Sequence, residues 1–474
     1  MTSQPPMIAA LPQLAGARVL VIGLGLTGLS CIRYLRNLGC QVMVMDTREQ
    51  PPGAAALRRE FPEVAMRLGG WNCATLAAAD QILLSPGVAL AELMRTLEQC
   101  PQANPRIPVC GDIELFAQAV SAPVLAITGS NGKSTVTELL GQMARRAGVK
   151  VAVGGNLGPP ALDLLAPDVE LYILELSSFQ LETTASLRPR AAALLNLSAD
   201  HLDRYTDVGA YAQAKQRIFA DAQAAVINRD DPVARELAAG VAEVVSFGLG
   251  QPDETAKQDW GLLPAAEGAG AWIGRGTTAL IPVSEMRLLG AHNLANALAA
   301  LALADLYGLA LAPMRATLGE FCGLAHRCAP VAEIEGVRWI DDSKGTNPGA
   351  TIAAIEGIAR SQTGAGASGA GKIVLIAGGE GKGADFSSLA PTLAQHVRAL
   401  VLIGRDAHLM AAIAPATVFT ERAMDMPAAV TRAAELAQPG DVVLLSPACA
   451  SFDMFDDYRQ RGRVFAEAVM RMAA

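Results

Sequence analysis

Residues 124–135 read Val-Leu-Ala-Ile-Thr-Gly-Ser-Asn-Gly-Lys-Ser-Thr. The order predicts a β-strand, a phosphate-binding loop and the start of a helix. In such a loop the backbone N–H groups surround phosphate oxygens, Lys133 reaches the outer phosphates, and a hydroxyl of Ser134 or Thr135 binds Mg²⁺. Because Ile127 occupies the first glycine position of the G-x-x-x-x-G-K-[ST] pattern, a plain strand-to-helix turn is the alternative.

A second glycine-rich stretch, residues 23–28 (Gly-Leu-Gly-Leu-Thr-Gly), follows the predicted strand Arg18–Ile22 and opens a helix. Asp46 ends the next predicted strand, which completes the pattern of a dinucleotide site. Taken alone, this pattern would indicate an NAD-dependent dehydrogenase, and an ordinary tight turn is the simpler alternative. A dehydrogenase needs one phosphate loop, whereas this chain has two of them on different predicted domains.

Composition and the alternation of segments indicate a multidomain α/β protein. The 474 residues are 51% hydrophobic and 18% charged, with a formal net charge of −8, which excludes a disordered chain and argues against nucleic-acid binding. Apolar strands alternate with Ala/Leu-rich helices, the pattern of parallel sheets with crossover helices. A proline-rich stretch at 100–108 and a break near Gly323 predict three domains, residues 1–112, 113–322 and 323–474.

Several kinds of segment are not found in the sequence. No apolar run approaches the roughly 18–20 residues of a membrane-spanning helix, and no secretion signal is visible, so we expect a cytoplasmic protein without a membrane partner. The eight cysteines contain no C-x-x-C pair and predict neither a disulfide framework nor a zinc site. Short basic clusters such as residues 459–463 are interpreted as solvated faces.

Three further features favour a phosphoryl-transfer site. Glu175 ends an apolar strand, where α/β sheets bind their ligands, and its carboxylate suits Mg²⁺. A polar cluster at residues 200–204 follows a strand predicted to end at Leu197. Lys215 shares the apolar face of a helix predicted from Asp207 to Asp221, where burial penalises the charged amine and frees its lone pair. The alternatives are an ordinary acid at a helix start, a surface turn and a lysine that reaches solvent along the apolar face.

With these residues in place, the chain resembles the Mur ligases, the ATP-dependent family that adds amino acids to the peptidoglycan precursor. The resemblance runs nearly end to end and explains the missing glycine, because this family's loop reads T-G-x-x-G-K-[ST]. The motifs that carry it are residues 23–28, 85–87, 128–135, 154–156, 175–180, 200–205, 290–296, 326–327, 342–344, 381–383 and 446–451.

The resemblance implies a role for each matching residue. The UDP part of the precursor would contact Leu26, Thr27, Asp46, Arg48, Ser85, Pro86, Gly87 and Asn156. ATP would contact Gly129, Asn131, Gly132, Lys133, Ser134, Thr135, Asn293, Asn296, Arg327 and Asp342. Glutamate would contact Thr346, Lys382, Ser451, Phe452 and Tyr458, although the family leads us to expect phenylalanine at 458. Metal ligands would be Ser134, Thr135, Glu175, His201 and Lys215, with Lys215 carbamylated. Catalysis would depend on Lys133, His201, Lys215 and Lys344.

The resemblance also implies the fold and the reaction. We expect a Rossmann-like N-terminal domain, a P-loop-type central ATPase domain and a Rossmann-like C-terminal domain. The substrates would be ATP, UDP-N-acetylmuramoyl-L-alanine and D-glutamate, with Mg²⁺ as cofactor and a monomeric enzyme. The alternatives are a Mur-type ligase for another amino acid, a folylpolyglutamate synthetase, the NAD-dependent dehydrogenase and a nucleotide-binding scaffold without catalysis.

Overall fold

The computed structural model describes residues 15–253, 255–256, 258–264, 270–288, 290–363 and 371–472. These residues form three β-sheets with helices between their strands, and most neighbouring strands are parallel. Contacts divide the chain into two compact units. The first contains the segments up to Leu197, Gly209–Val283 and Ala297–Thr317, and the second contains Ser198–Val208, Ser284–Asn296 and the chain from Leu318 onward.

The first sheet has five parallel strands in the order β3-β2-β1-β4-β5, the order of the first five strands of a Rossmann-like sheet. Its strands are β1 (Arg18–Ile22), β2 (Gln41–Asp46), β3 (Ala65–Leu68), β4 (Gln81–Leu84) and β5 (Val109–Cys110). The helices are α1 (Leu26–Asn37), α2 (Ala54–Glu60), α3 (Cys73–Ala78), α4 (Leu90–Gln99) and α5 (Asp112–Ala119). A disulfide joins Cys73 to Cys100, a pairing that the cysteine spacing did not predict.

Both faces of this first sheet are covered, because alternate side chains of each strand point to opposite sides. Val19 and Val21 enter one apolar core, and Leu20 and Ile22 enter another. The core that receives Val19 continues into the second sheet, where the ring of Tyr172 packs edge-on against that of Phe116 at 5.2 Å. The first two sheets therefore share one hydrophobic core within the first compact unit.

The second sheet has nine strands in the order β14-β13-β12-β11-β10-β9-β6-β8-β7, of which only the β12-β13 and β13-β14 pairs are antiparallel among the described residues. The strands are β6 (Val124–Thr128), β7 (Val151–Gly155), β8 (Leu171–Glu175), β9 (Ala191–Leu194), β10 (Ala224–Asn228), β11 (Glu243–Phe247), β12 (Trp260–Pro264), β13 (Ala271–Arg275) and β14 (Thr278–Pro282). The helices between residues 133 and 320 are α6 (Lys133–Arg146), α7 (Ser178–Glu182), α8 (Val208–Gln216), α9 (Pro232–Leu237), α10 (Ala291–Tyr307) and α11 (Leu311–Glu320).

The third sheet has six strands in the order β15-β16-β20-β17-β18-β19, and its antiparallel pair is β15-β16. The strands are β15 (Ala329–Ile334), β16 (Val337–Asp341), β17 (Ile373–Gly378), β18 (Val397–Ile403), β19 (Phe419–Arg422) and β20 (Val442–Leu445). The helices are α12 (Pro348–Thr363), α13 (Ala390–His396), α14 (Ala407–Ile413), α15 (Met426–Leu436) and α16 (Tyr458–Met472). Short 3₁₀ turns cover Ala161–Leu164, Arg217–Phe219, Val283–Glu285 and Ser387–Leu389.

The predicted fold class, three α/β domains with mainly parallel sheets, is confirmed, and three local expectations are wrong. Strand β9 ends at Leu194 and not at Leu197, so a longer connection than expected separates the strand from the polar cluster at 200–204. Val208 is exposed, although it was assigned to the apolar face of α8. Arg461 is fully buried rather than solvated, because its guanidinium donates to Ser343 Oγ at 3.0 Å, Ser343 O at 2.7 Å and Cys449 O at 3.1 Å.

The domain boundaries stay predictions. Each sheet lies inside one of the predicted domains, but Ser198–Val208 and Ser284–Asn296 group with the third sheet in the second compact unit. In the part of the chain that the structure describes, no helix is long and apolar enough to cross a membrane.

At the carboxyl edge of the third sheet, Asp342 follows β16 and is buried. Its N–H donates to Leu445 O at 2.8 Å, and Ser446 Oγ donates to Asp342 Oδ2 at 2.7 Å. Burial raises the pKa of Asp342 to about 7, although the Ser446 hydroxyl and the positive charge of Arg327 oppose the increase. The folded chain therefore holds this proton more tightly than the unfolded chain does.

Gly28 is expected to be required for the close approach of α1 to β1, because a Cβ there would collide with the carbonyl oxygen of Gly23. We predict that Gly28→Ala lowers the free energy of unfolding by about 1–3 kcal/mol, measured as a shift in the urea transition. The matched control is Gly25→Ala, whose Cβ would have nothing within 4 Å. Equal losses in the two variants would contradict this account of the loop.

Asp342→Asn should change how stability depends on pH. Because the folded-state pKa is raised, the stability that protonated Asp342 contributes is fully present at about pH 4 and is lost as the pH rises through about 7. The free energy of unfolding should fall by at most about 1.4 kcal/mol per pH unit over this range. Relative to the wild type, the free energy of unfolding of Asp342→Asn, measured in urea, should therefore increase between pH 5 and 8. Asp385→Asn is the control, since hydrogen bonds from Ser387 lower the pKa of that exposed carboxyl. A constant difference for Asp342→Asn across this range would refute the prediction.

Candidate active site

The loop between β6 and α6 is shaped by a left-handed glycine and by hydrogen bonds from a neighbouring asparagine. Gly132 has φ +84° and precedes the first residue of α6, a left-handed geometry that glycine adopts without strain. Asn196, which follows β9, holds the loop from the side. Its Oδ1 accepts from Asn131 N at 2.9 Å, its Nδ2 donates to Asn131 O at 3.1 Å, and its carbonyl accepts from Ser130 N at 3.0 Å. The sequence pattern did not indicate Asn196, because it belongs to a different strand connection.

Two lysines meet at one carbonyl oxygen of this loop. Lys133 Nζ donates to Gly129 O at 2.8 Å and to Ser130 O at 2.9 Å. Lys215 Nζ, on a side chain that is 1% exposed, donates to the same Gly129 O at 2.8 Å. The ring of Tyr211 lies below the Lys215 amine, with its centroid 4.6 Å away. The structure therefore brings two of the predicted catalytic residues to the phosphate loop.

Oxygen ligands suited to a divalent metal lie at the same edge of the second sheet. Ser134 and Thr135 are buried in the first turn of α6, and Glu175 is buried at the end of β8, in register with Ile127 of β6. Asn156 Nδ2 donates to Glu175 Oε1 at 2.6 Å. These carboxylate and hydroxyl oxygens fit Mg²⁺. No cluster of three His, Cys, Asp or Glu side chains suited to a metal occurs among the described residues.

All eight residues expected at the UDP moiety line one cavity of about 440 Å³ in the first compact unit. The lining also includes Thr47, Val88, Gly155, Gly158, Pro160 and Gln180, which the UDP prediction did not include. Leu26 is 78% exposed at this cavity.

Asp46 is not free to hold a ribose as the corresponding acid of a dehydrogenase does. Its Oδ2 accepts from Leu24 N and from Arg48 Nη2, both at 2.7 Å, and its Oδ1 accepts from Arg48 N and Nε, both at 2.9 Å. Burial raises the pKa of Asp46, but these hydrogen bonds outweigh it and leave the pKa below its ordinary value. The Asp46 carboxylate is therefore saturated by Leu24 and Arg48, which leaves no acceptor site on it for the hydroxyl groups of an NAD ribose.

A second cavity, of about 340 Å³, lies entirely within the second compact unit. It is lined by His201, Thr346 and Lys382 of the predicted site, together with Ser198, Ala199, Asp200, Leu202, Asn347, Pro348, Gly349, Ile352, Gly381, Ala384, Asp385 and Ser388. His201 and Lys382 have φ of +57° and +51°, conformations that cost energy in residues other than glycine and cluster at functional sites.

Asn347 organises this cavity. Its Nδ2 donates to Asp200 Oδ2 at 3.0 Å, and its Oδ1 accepts from Ala350 N at 2.8 Å in the first turn of α12. Asp200 Oδ1 accepts from His201 N at 2.9 Å. The lining also contains the carboxylates of Asp200 and Asp385, so the start of α12 and the Lys382 ammonium group are the features of this cavity that could attract a carboxylate.

Three of the five residues expected at glutamate are outside the lining of this cavity. Ser451 is buried, Phe452 is 68% exposed, and the ring of Tyr458 lies under Lys344, with Nζ 4.1 Å from the ring centroid. Arg459 Nε donates to the Tyr458 hydroxyl at 3.3 Å, so the oxygen that phenylalanine would lack has a partner. The structure thus connects Tyr458 to the predicted catalytic Lys344.

The residues expected around adenosine lie in the second compact unit. Asn293 and Asn296 are one turn apart in the first part of α10, and Asn296 is buried. His292 beside them has its pKa lowered to about 4 by burial and by the charges of Arg360 and Arg327. The imidazole is therefore neutral near pH 7, and the positive charge of this region comes from the two arginines.

Comparison with known proteins gives the same family for all three parts of the chain. Residues 17–104 match the family model "Mur ligase MurD-like, N-terminal domain", 127–304 match "Mur ligase middle domain", and 326–449 match "Mur ligase, glutamate ligase domain". Two relatives are each named UDP-N-acetylmuramoylalanine–D-glutamate ligase. The one from Pseudomonas savastanoi is 51% identical over 95% of this chain and 97% of its own, and the one from Nitrosococcus oceani is 52% identical over 97% of both.

Solved structures show the same fold at low sequence identity. UDP-N-acetylmuramate–alanine ligase from Thermotoga maritima has a TM-score of 0.59 and 19% identity, over 96% of this chain and 100% of that one. MurF ligase from Thermotoga maritima, solved in complex with ADP, has a TM-score of 0.57 and 17% identity, over 99% of both chains. From its three matching domains and its half-identical relatives, this chain belongs to the Mur ligase family.

Proposed function

We propose that this chain is an ATP-dependent ligase that joins D-glutamate to UDP-N-acetylmuramoyl-L-alanine through an acyl phosphate, releasing ADP and phosphate. The relatives that are 51% and 52% identical are named for this reaction. The structural observation that carries the proposal is the meeting of Lys133 and Lys215 at the carbonyl of Gly129. Lys133 is thereby held on the phosphate loop, where its ammonium group can reach the outer phosphates of ATP, and Lys215 is held beside it at the proposed metal site.

In the first step the L-alanine carboxylate of the precursor attacks the γ-phosphorus of ATP, and the bond to the β,γ-bridging oxygen breaks. The chain's contribution is alignment and charge neutralisation, since phosphoryl transfer needs little covalent help. Lys133 is held on its own loop by Gly129 O and Ser130 O, within reach of the outer phosphates. Gly129, Asn131 and Gly132 would present backbone N–H groups to the same oxygens.

The ligands proposed for Mg²⁺ are Ser134 or Thr135, Glu175, His201 and a carbamylated Lys215. When bound, Mg²⁺ would neutralise charge on the phosphate oxygens. An ammonium group at Lys215 would repel a metal, whereas a carbamate is an anion. A carbamate nitrogen keeps a single N–H, so it can retain the 2.8 Å hydrogen bond to Gly129 O but not the 3.4 Å contact to Thr128 Oγ1 as well.

In the second step the glutamate amine attacks the acyl carbon, and phosphate leaves through a tetrahedral intermediate. We assign glutamate to the cavity that contains Thr346 and Lys382, where a cation and a helix start are available for its two carboxylates. Lys344, oriented by the Tyr458 ring, would offset charge on the leaving phosphate. Ser451 and Phe452 complete the proposed glutamate site.

We also propose that Asn293, Asn296, Arg327 and Asp342 hold the nucleoside and phosphates of ATP. The domains proposed for the precursor, for ATP and metal, and for glutamate are residues 1–112, 113–322 and 323–474. Because one chain supplies every group that the mechanism uses, we infer a monomer. We infer a cytoplasmic location because ATP and nucleotide-activated sugars are cytoplasmic metabolites.

The direct test is phosphate release from ATP in the presence of the muramoyl-alanine precursor and a panel of D-Glu, L-Glu and L-Lys. We expect release that depends on both the precursor and D-Glu, and its loss by at least about 100-fold in Lys133→Ala, because the γ-phosphate charge is then uncompensated. Circular dichroism checks that the variant stays folded. Release with L-Lys instead would assign another acceptor, and reduction of NAD would support the dehydrogenase. Unchanged release in Lys133→Ala would reject the phosphate-loop assignment.

Lys215→Ala should nearly abolish turnover, and excess acetate should restore part of it, because a small carboxylate can occupy the place of the carbamate. Mass spectrometry of the wild type in bicarbonate buffer should show the added carboxyl group on Lys215. The control is Lys150→Ala, an exposed lysine that pairs with Asp168. Absence of rescue at any acetate concentration, together with an unmodified Lys215, would rule out the carbamate.

A further inference from the structure

Gln180 lines the cavity of about 440 Å³ that contains the residues expected at the UDP moiety, here called the precursor cavity. Its Oε1 accepts from Ser177 N at 3.1 Å and from Ser177 Oγ at 3.3 Å, which forms the capping box of α7. Its Nε2 donates to Asp112 Oδ2 at 2.9 Å. A backbone N–H can only donate and an ionised carboxylate can only accept. If the amide were flipped, its oxygen would face the Asp112 carboxylate and its NH₂ group would face the N–H of Ser177. These hydrogen bonds therefore permit one orientation of the Gln180 amide.

In the permitted orientation the side chain can offer the cavity a donor. Oε1 is committed to Ser177, and one hydrogen of Nε2 is committed to Asp112. An amide nitrogen carries two hydrogens, so one N–H remains for a ligand. A diphosphate presents acceptors only, and a hydrogen bond to a charged acceptor is stronger than a neutral one. The orientation therefore matches the anionic part of the precursor.

Asp112 is the first residue of α5, where an acid is ordinarily exposed to solvent, but here it is buried. Its side chain is 1% exposed, and Oδ1 is buried without a hydrogen-bond partner. Burial raises the pKa of Asp112 to about 6, although hydrogen bonds from the Gln180 amide and from the backbone N–H groups of Asp112 and Ile113 oppose the increase. A buried and partly satisfied carboxylate destabilises a fold, and such conflicts concentrate at functional sites.

The second carboxamide in the lining of this cavity is held in the same way. Asn156 Nδ2 donates to the buried Glu175 carboxylate at 2.6 Å. Two amides of one cavity wall are thus each oriented by a buried acid, which makes a chance contact at Asp112 a poor explanation.

We propose that Asp112 is a positioning residue of the precursor site, which acts through Gln180 by holding its carboxamide with an N–H available to the anionic substrate. The proposal rests on the function proposed above, because it takes the precursor to be the ligand of this cavity.

Glu114 provides a matched control on the same turn of α5. It is fully buried, and its carboxylate accepts from Ala185 N at 2.6 Å, Ser186 N at 2.9 Å and Gln118 Nε2 at 3.2 Å. None of these partners lines the cavity. Glu114 and Asp112 therefore hold the same chain segment, 177–186, but only Asp112 contacts a residue of the cavity wall.

The test is calorimetric binding of UDP-N-acetylmuramoyl-L-alanine to the full chain. In Asp112→Ser the new side chain suits a helix start but is too short to reach the Gln180 amide. This variant should raise the dissociation constant of the precursor about 10-fold, which corresponds to the loss of one hydrogen bond. The isosteric Asp112→Asn, whose amide oxygen can accept the same hydrogen bond, should stay within about 3-fold. Asp112→Ser/Gln180→Ala should bind no more weakly than Gln180→Ala, because Asp112 acts through that side chain.

In turnover, Asp112→Ser should raise the KM for the precursor and leave the KM values for ATP and glutamate unchanged. Glu114→Gln should lower the urea midpoint but change the precursor dissociation constant by less than about 2-fold. Unchanged binding in Asp112→Ser, multiplicative losses in the double variant, or an equal loss in Glu114→Gln would each overturn the positioning role. If the wild type does not bind the precursor, the proposed function itself fails. If the wild type binds it and the variants behave otherwise than expected, only the positioning role of Asp112 fails.

Discussion

Lys133 and Lys215 donate to the same carbonyl oxygen of Gly129, and much of the site follows from the charge that they bring there. A carbonyl dipole orients an ammonium group without removing its net charge. The Lys215 side chain is buried, which penalises a charged amine. In the proposed function a phosphate group would supply countercharge at Lys133, and conversion of the Lys215 amine to a carbamate would remove the repulsion that an ammonium group exerts on a metal. The buried carboxylate of Glu175 lies on the neighbouring strand, where it adds negative charge at the same sheet edge.

Glu175 also connects the phosphate loop to the precursor cavity. Its Oε1 holds the amide of Asn156, and Asn156 lines that cavity. Asp112 holds Gln180 in the same wall. Both acids are buried, so solvent screens their hydrogen bonds less than it screens interactions at the surface. Each acid fixes the orientation of an amide in the cavity wall. Orientation of hydrogen-bond donors is therefore built into the first compact unit before any substrate binds.

Patterns within single loops could be predicted from the sequence, and contacts between loops could not. The eight residues predicted for the UDP moiety line one cavity because most of them belong to the ends of neighbouring parallel strands, which meet at one edge of a sheet. Asn196 and Gln180 were missed because their roles depend on which loop lies next to them. Arg461 was misread because a run of basic residues resembles a solvated surface, whereas Ser343 and Cys449 provide it with buried acceptors. Thr346 and Lys382 share a cavity, but Ser451, Phe452 and Tyr458 lie outside its lining.

The net charge of −8 takes on a physical meaning at this site. Every expected substrate is an anion, and a negative protein would repel them unless its cations are concentrated where they bind. Many arginines pair with surface carboxylates, as Arg18 does with Asp80 at 2.6 Å and Arg432 with Glu421 at 2.7 Å, and such pairs attract no ligand over distance. In contrast, carbonyl oxygens hold Lys133 and Lys215, and the Tyr458 ring holds Lys344. In the proposed mechanism, the ammonium groups of Lys133 and Lys344 would meet phosphate oxygens, whereas carbamylation would make Lys215 an anion suited to a metal. A carboxylate introduced beside Lys133 or Lys344 would therefore oppose the binding of a phosphate.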